Sequence, residues 1–433
     1  MITLTFGMGF TNYTLYKTYI LWLPLHVRAL LNICFIEYPL ELLMSQIYGS
    51  MGVDALKRAV KIIESVVQSS FPYAFTNVLK LGDGRCVALH VDGAGSKPII
   101  AYLVCKEFGD YSFFEYLSQD VLAMNLDDII AVGVKPMLFV DYIALNPFRL
   151  DRGSVLKYIA SGFSKTLQTL IELGETSKSF TPFFVGGETA DMPDQLMTID
   201  VAGAVYGEGD CTTIIDGTRI ADGDLILGLS SFGRARYEYV ENSGIMCNGL
   251  TLARHVLLNE YYALKYPETF DPNNRLRYSG PYKLESYVDE LGMTIMEALS
   301  SPTRIYTPII AEILSSCCGY VHGMIHITGG GFAKMLKVGC GVNYVINNLP
   351  EPPPIFKLIQ KICKSEWRDM YSVFNMGVGF VVIVEPSIVD SIASICDKYG
   401  IQVFNIGFVE KNFDGVNRVI VKSGSLRFEL TPH

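Results

Sequence analysis

A chain of 433 residues, half of them hydrophobic and 18% charged, has enough apolar material for a globular protein of two or three domains and is not a disordered one. The formal net charge of -9, with no basic run, excludes a broad nucleic-acid surface, because phosphate backbones are gripped by clustered Lys and Arg. Ten cysteines without a CxxC pair suggest neither a zinc ribbon nor a disulfide framework, and fit reduced cytoplasmic thiols.

Residues 1–43 are apolar and aromatic, but Lys17, His26, Arg28, Glu37 and Glu41 interrupt them, so no uncharged run reaches the roughly 18–20 residues of a membrane span. A secretory signal's basic start and small-residue cleavage site are also missing. The stretch reads as an appended or spuriously translated leader, with the working protein starting near Met44 and no membrane partner. Val53, Leu56, Val60, Ile63 and Val67 then mark the stripe of a first helix. CVALHV (86–91) predicts a strand, residues 112–132 one long helix, PMLFVDYIAL (136–145) a strand, RGSVLKYIASGFSKTLQTLIELG a helix and TIDVAGAVYG a further strand. In TRIADGDLILGLSS (218–231) the Asp-Gly-Asp turn leads into a new buried strand, which divides a domain over 44–217 from one over 218–433. GLTLARHVLLNEYYALKYPE predicts one helix, DPNNRLRYSG a polar connection, and EPPP (351–354) forbids regular structure locally. The segments TRIYTPIIAEIL, HITGGGFAKMLKVG and NMGVGFVVIVEPSIVDSIASICDKYG continue the mixture, so the fold class is α/β or α+β.

Three acidic clusters carry the chemistry. FVGGETADMPDQ (184–195) puts Glu188, Asp191 and Asp194 beside Gly186 and Gly187. Glycines bare backbone N–H groups to a phosphate, but carboxylates repel it. ALHVDGAGSKPII (88–100) repeats the grammar with Asp92, two glycines, a serine and Lys97; its order is not that of a P-loop, and alone it also suits an ordinary turn with a solvated lysine. In SQDVLAMNLDDII (118–130) Asp120 and Asp127 share a helical face and Asp128 lies about 80° round, in a stretch too apolar for unpaired charge. Like charges 4 Å apart repel by about 4 kcal/mol at an effective dielectric of 20. Mg²⁺ between carboxylates and phosphate oxygens resolves the conflict, which points to a Mg-nucleotide site in a fold other than the P-loop. HITGGGFAKML (326–336) sets Thr328 and three glycines, Gly329 and Gly330 first, before an apolar helix, a seat for a substrate phosphate or a tight turn required by packing. His322 and His326 have the spacing of a metal pair on a helix, but VHGMIHI has β-like composition and a structural role is expected.

Taken in order over roughly residues 46–411, HVDGAGSK, DVLAMNLDDIIAVGVKPMLFVDYIAL, VGGETADMP, DVAG, SPTRIY, HITGGGF and MYSVFNMGVG resemble the successive motifs of the aminoimidazole ribonucleotide synthetase (phosphoribosylformylglycinamidine cyclo-ligase) family. The resemblance implies an N-terminal domain whose sheet joins a partner's in a homodimer barrel, a C-terminal α/β domain, and a cleft between them. It also implies ATP and Mg²⁺ acting on a small-molecule nucleotide, formylglycinamidine ribonucleotide, whose formyl oxygen is phosphorylated before ring closure. On that analogy Asp92, Asp128 and Glu188 match the acids that hold the metal and nucleotide, and Lys97, Gly186, Gly187 and Thr189 match their surroundings. Asn248 and Gly249 match the Asn-Gly after the family's active-site histidine.

Three features depart from the family pattern. Met246-Cys247 stands where the family has His-Ser; RARYEYVENSGI adds about a dozen residues after Gly233; and FPYAF (71–75) replaces a glycine-rich segment. His90, two residues before Asp92 on a strand and therefore on its face, is the candidate replacement for the histidine, a structural role being the alternative. Arg234 and Arg236 are candidates to clamp phosphate. Two other readings stand beside the cyclo-ligase: a same-fold small-molecule kinase, such as a thiamine monophosphate kinase or selenophosphate synthetase, and a nucleotide-binding paralogue that has lost catalysis.

Overall fold

In the computed structural model the described residues are 60–432 except Arg275, so the expected leader and the start near Met44 lie outside them. Of the first predicted helix, Val60–Glu64 is described and is helical. The first sheet comprises β1 (Leu79–Lys80), β2 (Arg85–Gly93), β3 (Lys135–Leu145), β4 (Phe183–Asp191) and β5 (Ile199–Asp210), in the order β1-β2-β5-β3-β4, with period-two burial most regular on β5. Every pair is antiparallel except β3 with β4. The inner face, with Ala88, Phe139, Ile143, Val201 and Val205, packs on helices α1 (Pro98–Phe108) and α2 (Phe114–Ile130). Helix α3 (Arg152–Glu172) lies on α2, its first turn capped by the Asp151 carboxylate, which accepts from the Ser154 N–H. Gly162 makes that approach possible, since a Cβ there would stand 2.2 Å from the Glu115 carbonyl oxygen.

The second sheet comprises β6 (Leu225–Ser230), β9 (Val321–His326), β10 (Val342–Ile346), β11 (Val378–Val384), β12 (Val403–Lys411), β13 (Arg418–Ser423) and β14 (Leu426–Leu430), ordered β14-β13-β10-β12-β6-β11-β9; β7 (Tyr287–Val288) and β8 (Met293–Thr294) form a separate ribbon. β11 is an unbroken apolar run because both of its faces are covered. Val381 and Ile383 point to one core, shared with α4 (Leu250–Leu257) and α6 (Pro354–Cys363). Phe380, Val382 and Val384 point to the other, shared with α5 (Thr307–Cys317) and α7 (Val389–Lys398).

Three expectations change. The single helix read across GLTLARHVLLNEYYALKYPE ends at Leu257, because Leu258 is extended and the Asn259 side chain caps a second helix, Glu260–Lys265, by accepting from the Tyr261 N–H. Pro354 opens α6 rather than forbidding it, as its missing N–H costs nothing in a first turn. Cys86 and Cys211 form a disulfide, against the reading of thiols reduced throughout. They are 125 residues apart in the chain, and the pairing of β2 with β5 is what brings their Cα atoms to 5.1 Å.

Candidate active site

Helix α2 is the spine of the site. Asp120 and Asp127, on one face, both reach the segment 303–307 from the other half of the chain. Asp127, fully buried, accepts from the N–H groups of Tyr306 and Thr307 and from the Thr307 hydroxyl, so a carboxylate sits at the start of α5. Burial nevertheless pushes its pKa up to about 6. Asp120 accepts from Lys97 Nζ at 2.5 Å and from the N–H and hydroxyl of Thr303 at 2.8 and 2.6 Å. Lys97 also donates to the Ser301 carbonyl at 2.7 Å and is 1% exposed. It is neither a solvated lysine nor a cation facing a ligand, but a buried tie between the DGAGSK turn, α2 and residues 301–303.

Asp128, about 80° round the helix, meets two imidazoles. His326 Nδ1–H donates to Oδ1 at 2.7 Å, and His90 Nε2 lies 3.3 Å from Oδ2. Asn125 Nδ2 donates to the Asp92 and Val121 carbonyls, which turns Oδ1 towards His90 Nδ1 at 3.3 Å. Both His90 nitrogens therefore face oxygens that can only accept, an arrangement that favours the imidazolium. Burial opposes that charge, but the hydrogen bond and charge of Asp128, with Asp92 beyond it, prevail and raise the His90 pKa. For Asp128 burial is again the opposing influence; Lys334, His326 and His90 hold the carboxyl well below its usual range. Lys334 follows the triple glycine, donates to Thr328 Oγ1 and lies over the Phe75 ring. Positive charge that the sequence seemed to lack is thus supplied in part by side chains.

His90 and Asp92 share the inner face of β2, as alternation requires, and Asp92 Oδ1 accepts from the Gly93 N–H at 2.8 Å. Glu188 is elsewhere. It lies with Gly186, Gly187 and Thr189 on the edge strand β4, all four exposed. Two strands separate β4 from β2, which puts Glu188 roughly 14 Å from Asp92 along the sheet. Oxygens around one Mg²⁺ stand about 4 Å apart at most. The set Asp92, Asp128 and Glu188 therefore cannot share one ion within a protomer, and no group of three His, Cys, Asp or Glu suited to a metal occurs among the described residues. Gly186 and Gly187 are strand residues rather than a turn, and Gly187 is obligatory because a Cβ would strike Asp141.

At the triple glycine, Gly329 has open space around it, whereas a Cβ on Gly331 (φ 51°) would stand 2.2 Å from the Tyr371 carbonyl oxygen. Asn248 is fully buried; its Nδ2 donates to the Ile245 carbonyl and its Oδ1 has no partner. Gly249 has φ 58°, and a Cβ would lie 2.1 Å from the Phe374 ring. Met246, in place of the family's histidine, is buried in the apolar cluster with Tyr306 and Phe380. Those two rings lie 6.2 and 6.0 Å from the ring of His326, so an imidazole from β9 occupies this neighbourhood. His322 turns instead to Asp224 at 2.8 Å. Arg234 and Arg236 are both exposed on the added loop, where Arg234 Nε donates to the Glu238 carbonyl. Sequence reasoning missed Asn125 and Lys334 at the site and gave His326 a structural role. Asn125 had a signal, three positions before Asp128 on one helix face; the other two become neighbours only through tertiary contact.

Two family models match this chain: AIR synthase related protein, N-terminal domain, over residues 75–208, and AIR synthase related protein, C-terminal domain, over residues 221–419. The chain belongs to this family. Among its relatives, a phosphoribosylformylglycinamidine cyclo-ligase from Methanocaldococcus jannaschii is 34% identical over 388 residues, covering 87% of this chain and 96% of the relative. The cyclo-ligase from Methanothermobacter thermautotrophicus is 33% identical over 322 residues, covering 74% and 79%. A crystal structure of phosphoribosylformylglycinamidine synthase II from Thermotoga maritima superposes with a TM-score of 0.50 at 14% identity, over 89% of this chain and 50% of that longer one. That likeness concerns the fold of AIR synthase-related proteins alone.

Proposed function

We propose that this protein is an ATP-dependent cyclo-ligase of purine biosynthesis that converts formylglycinamidine ribonucleotide to aminoimidazole ribonucleotide. The observation that carries the reading is the match, over nearly the whole of both chains, to archaeal relatives of that name. The formyl oxygen attacks the γ-phosphorus of ATP and ADP leaves; the ring-forming nitrogen then attacks the activated carbon, and phosphate departs with the C–O bond. The first step joins two bound molecules and the second two groups of one, so holding the reactants in line and the nitrogen beside the activated carbon supplies much of the acceleration. The His90 imidazolium, fixed by Asp128 and Asn125, serves as a preorganised positive charge at the reacting oxygens. Asn248 Oδ1, buried without a partner, is an acceptor for a substrate amine.

Mg²⁺ is proposed as the companion of the triphosphate, to which it is usually joined with one or two carboxylates only. Asp92 and, separately, Glu188 would hold it; Asp128 is already closed off by its histidines. Bound there, the ion would neutralise phosphate charge.

Homodimerisation is proposed through the outer face of the first sheet. Leu89 and Val91 are 73% and 70% exposed, and Leu138, Val140 and Tyr142 continue the apolar surface on β3. Incubation with ATP, Mg²⁺ and formylglycinamidine ribonucleotide should release aminoimidazole ribonucleotide and ADP in equal amounts. ADP without the imidazole would favour a small-molecule kinase, and neither product a non-catalytic paralogue.

A further inference from the structure

Among the described residues three cations are buried: Lys97, Arg254 and Arg304. Lys97 is paired with Asp120, and Arg304 makes a bidentate pair with Glu238 at 2.8 and 2.6 Å. Arg254 forms no ion pair with a described residue, although it is only 2% exposed. Its neighbours are neutral: the Ser96 carbonyl 3.4 Å from Nη1, His255 Nε2 at 3.5 Å and the Tyr278 ring at 5.8 Å, while Nε has no partner at all. The charge is felt next door, where burial and Arg254 together bring the His255 pKa down to about 3. A buried, uncompensated guanidinium is costly, and an anion relieves it.

The surroundings suit a phosphate. Side chains on a helix lean towards its N-terminus, and Arg254 reaches back along α4 to Ser96, whose hydroxyl accepts from Thr251 Oγ1 at 3.0 Å. α4 starts at Gly249 with no side-chain cap, so its first N–H groups are available to an outside acceptor. We propose that Arg254, Ser96, Thr251 and the start of α4 form the seat of the phosphate of the ribonucleotide substrate, an assignment that rests on the cyclo-ligase reading. The triphosphate of ATP is the other phosphate source in the reaction. It travels with a metal and is drawn to carboxylates such as Asp92, whereas a phosphomonoester needs a fixed cation without one.

The test compares wild type, Arg254→Met and Arg254→Lys on formylglycinamidine ribonucleotide and on its dephosphorylated ribonucleoside. Loss of a charge-assisted contact predicts a KM for the ribonucleotide raised about 10- to 100-fold in Arg254→Met, with the KM for ATP within about twofold of wild type. The preference for ribonucleotide over ribonucleoside should collapse by the same factor, and Arg254→Lys should recover part of it. Inorganic phosphate should raise the Tm of wild type and leave that of Arg254→Lys less affected, a readout that survives if Arg254→Met does not fold. An unchanged preference for the phosphorylated substrate, a rise confined to the KM for ATP, or a Tm of wild type indifferent to phosphate would each overturn the assignment. If wild type makes no imidazole but phosphate still raises its Tm, the reaction is wrong and the anion seat stands.

Discussion

His90 turns both ring nitrogens to acceptors, on Asp128 and on Asn125, and in the proposed reaction it would act as a fixed charge rather than as a base. Replacing it with alanine removes that charge and should lower kcat at least about tenfold while the KM for ATP changes little. Unchanged turnover would reduce His90 to a structural residue. His255 is the other informative imidazole. It is buried beside Arg254 and Tyr278, takes the Tyr278 N–H on Nδ1, and has its pKa depressed to about 3. The unfolded chain protonates this group near its ordinary value of about 6.5, but the folded one resists. Its contribution is therefore complete above about pH 6.5 and is lost as pH falls towards 3, with a slope of up to about 1.4 kcal/mol per pH unit. Chemical denaturation of His255→Gln between pH 4 and 7 should show a shallower acid limb than wild type. The acids themselves could be read from the sequence because carboxylates amid apolar residues stand out; their partners could not, since His326 and Lys334 reach Asp128 only through the folding of β9 and the triple-glycine turn.

At the scale of elements, the added loop after Gly233 is held as a structural part. Glu238 brings a carboxylate under Arg304, whose guanidinium also donates to the carbonyls of Ser230, Phe232 and Gly233. Glu238→Gln leaves that buried cation without its counter-charge and should cost about 3–5 kcal/mol, measured by urea denaturation. A cost near zero would mean that the loop is a passive insertion. Strands rich in β-branched and aromatic residues, such as β2 and β3, and the long helix α2 are legible from local sequence. The break at Leu258 is not, because helix propensity runs through it and the local competitor is one asparagine cap. The same applies to Lys97, whose place in a turn suggests solvent and whose burial depends on Asp120 and on the Ser301 carbonyl.

For the whole molecule, the outer face of the first sheet leaves Leu89 and Val91 bare on β2, and β4, separated from β2 by two strands, is an exposed edge. A second copy covering this face should yield a dimer in light scattering. The double variant Leu89→Asp, Val91→Asp should be a folded monomer; a dimer that survives it would place the interface elsewhere. The acidic, glycine-punctuated motifs were legible in the sequence. The separation of Glu188 from Asp92 was not, because strand order decides it and β5 and β3 intervene. The most direct measurement is stoichiometric. With purified protein, ATP, Mg²⁺ and formylglycinamidine ribonucleotide, one aminoimidazole ribonucleotide should form per ADP, and EDTA should stop both. ADP released without imidazole, or no turnover with the authentic substrate, would contradict the cyclo-ligase assignment.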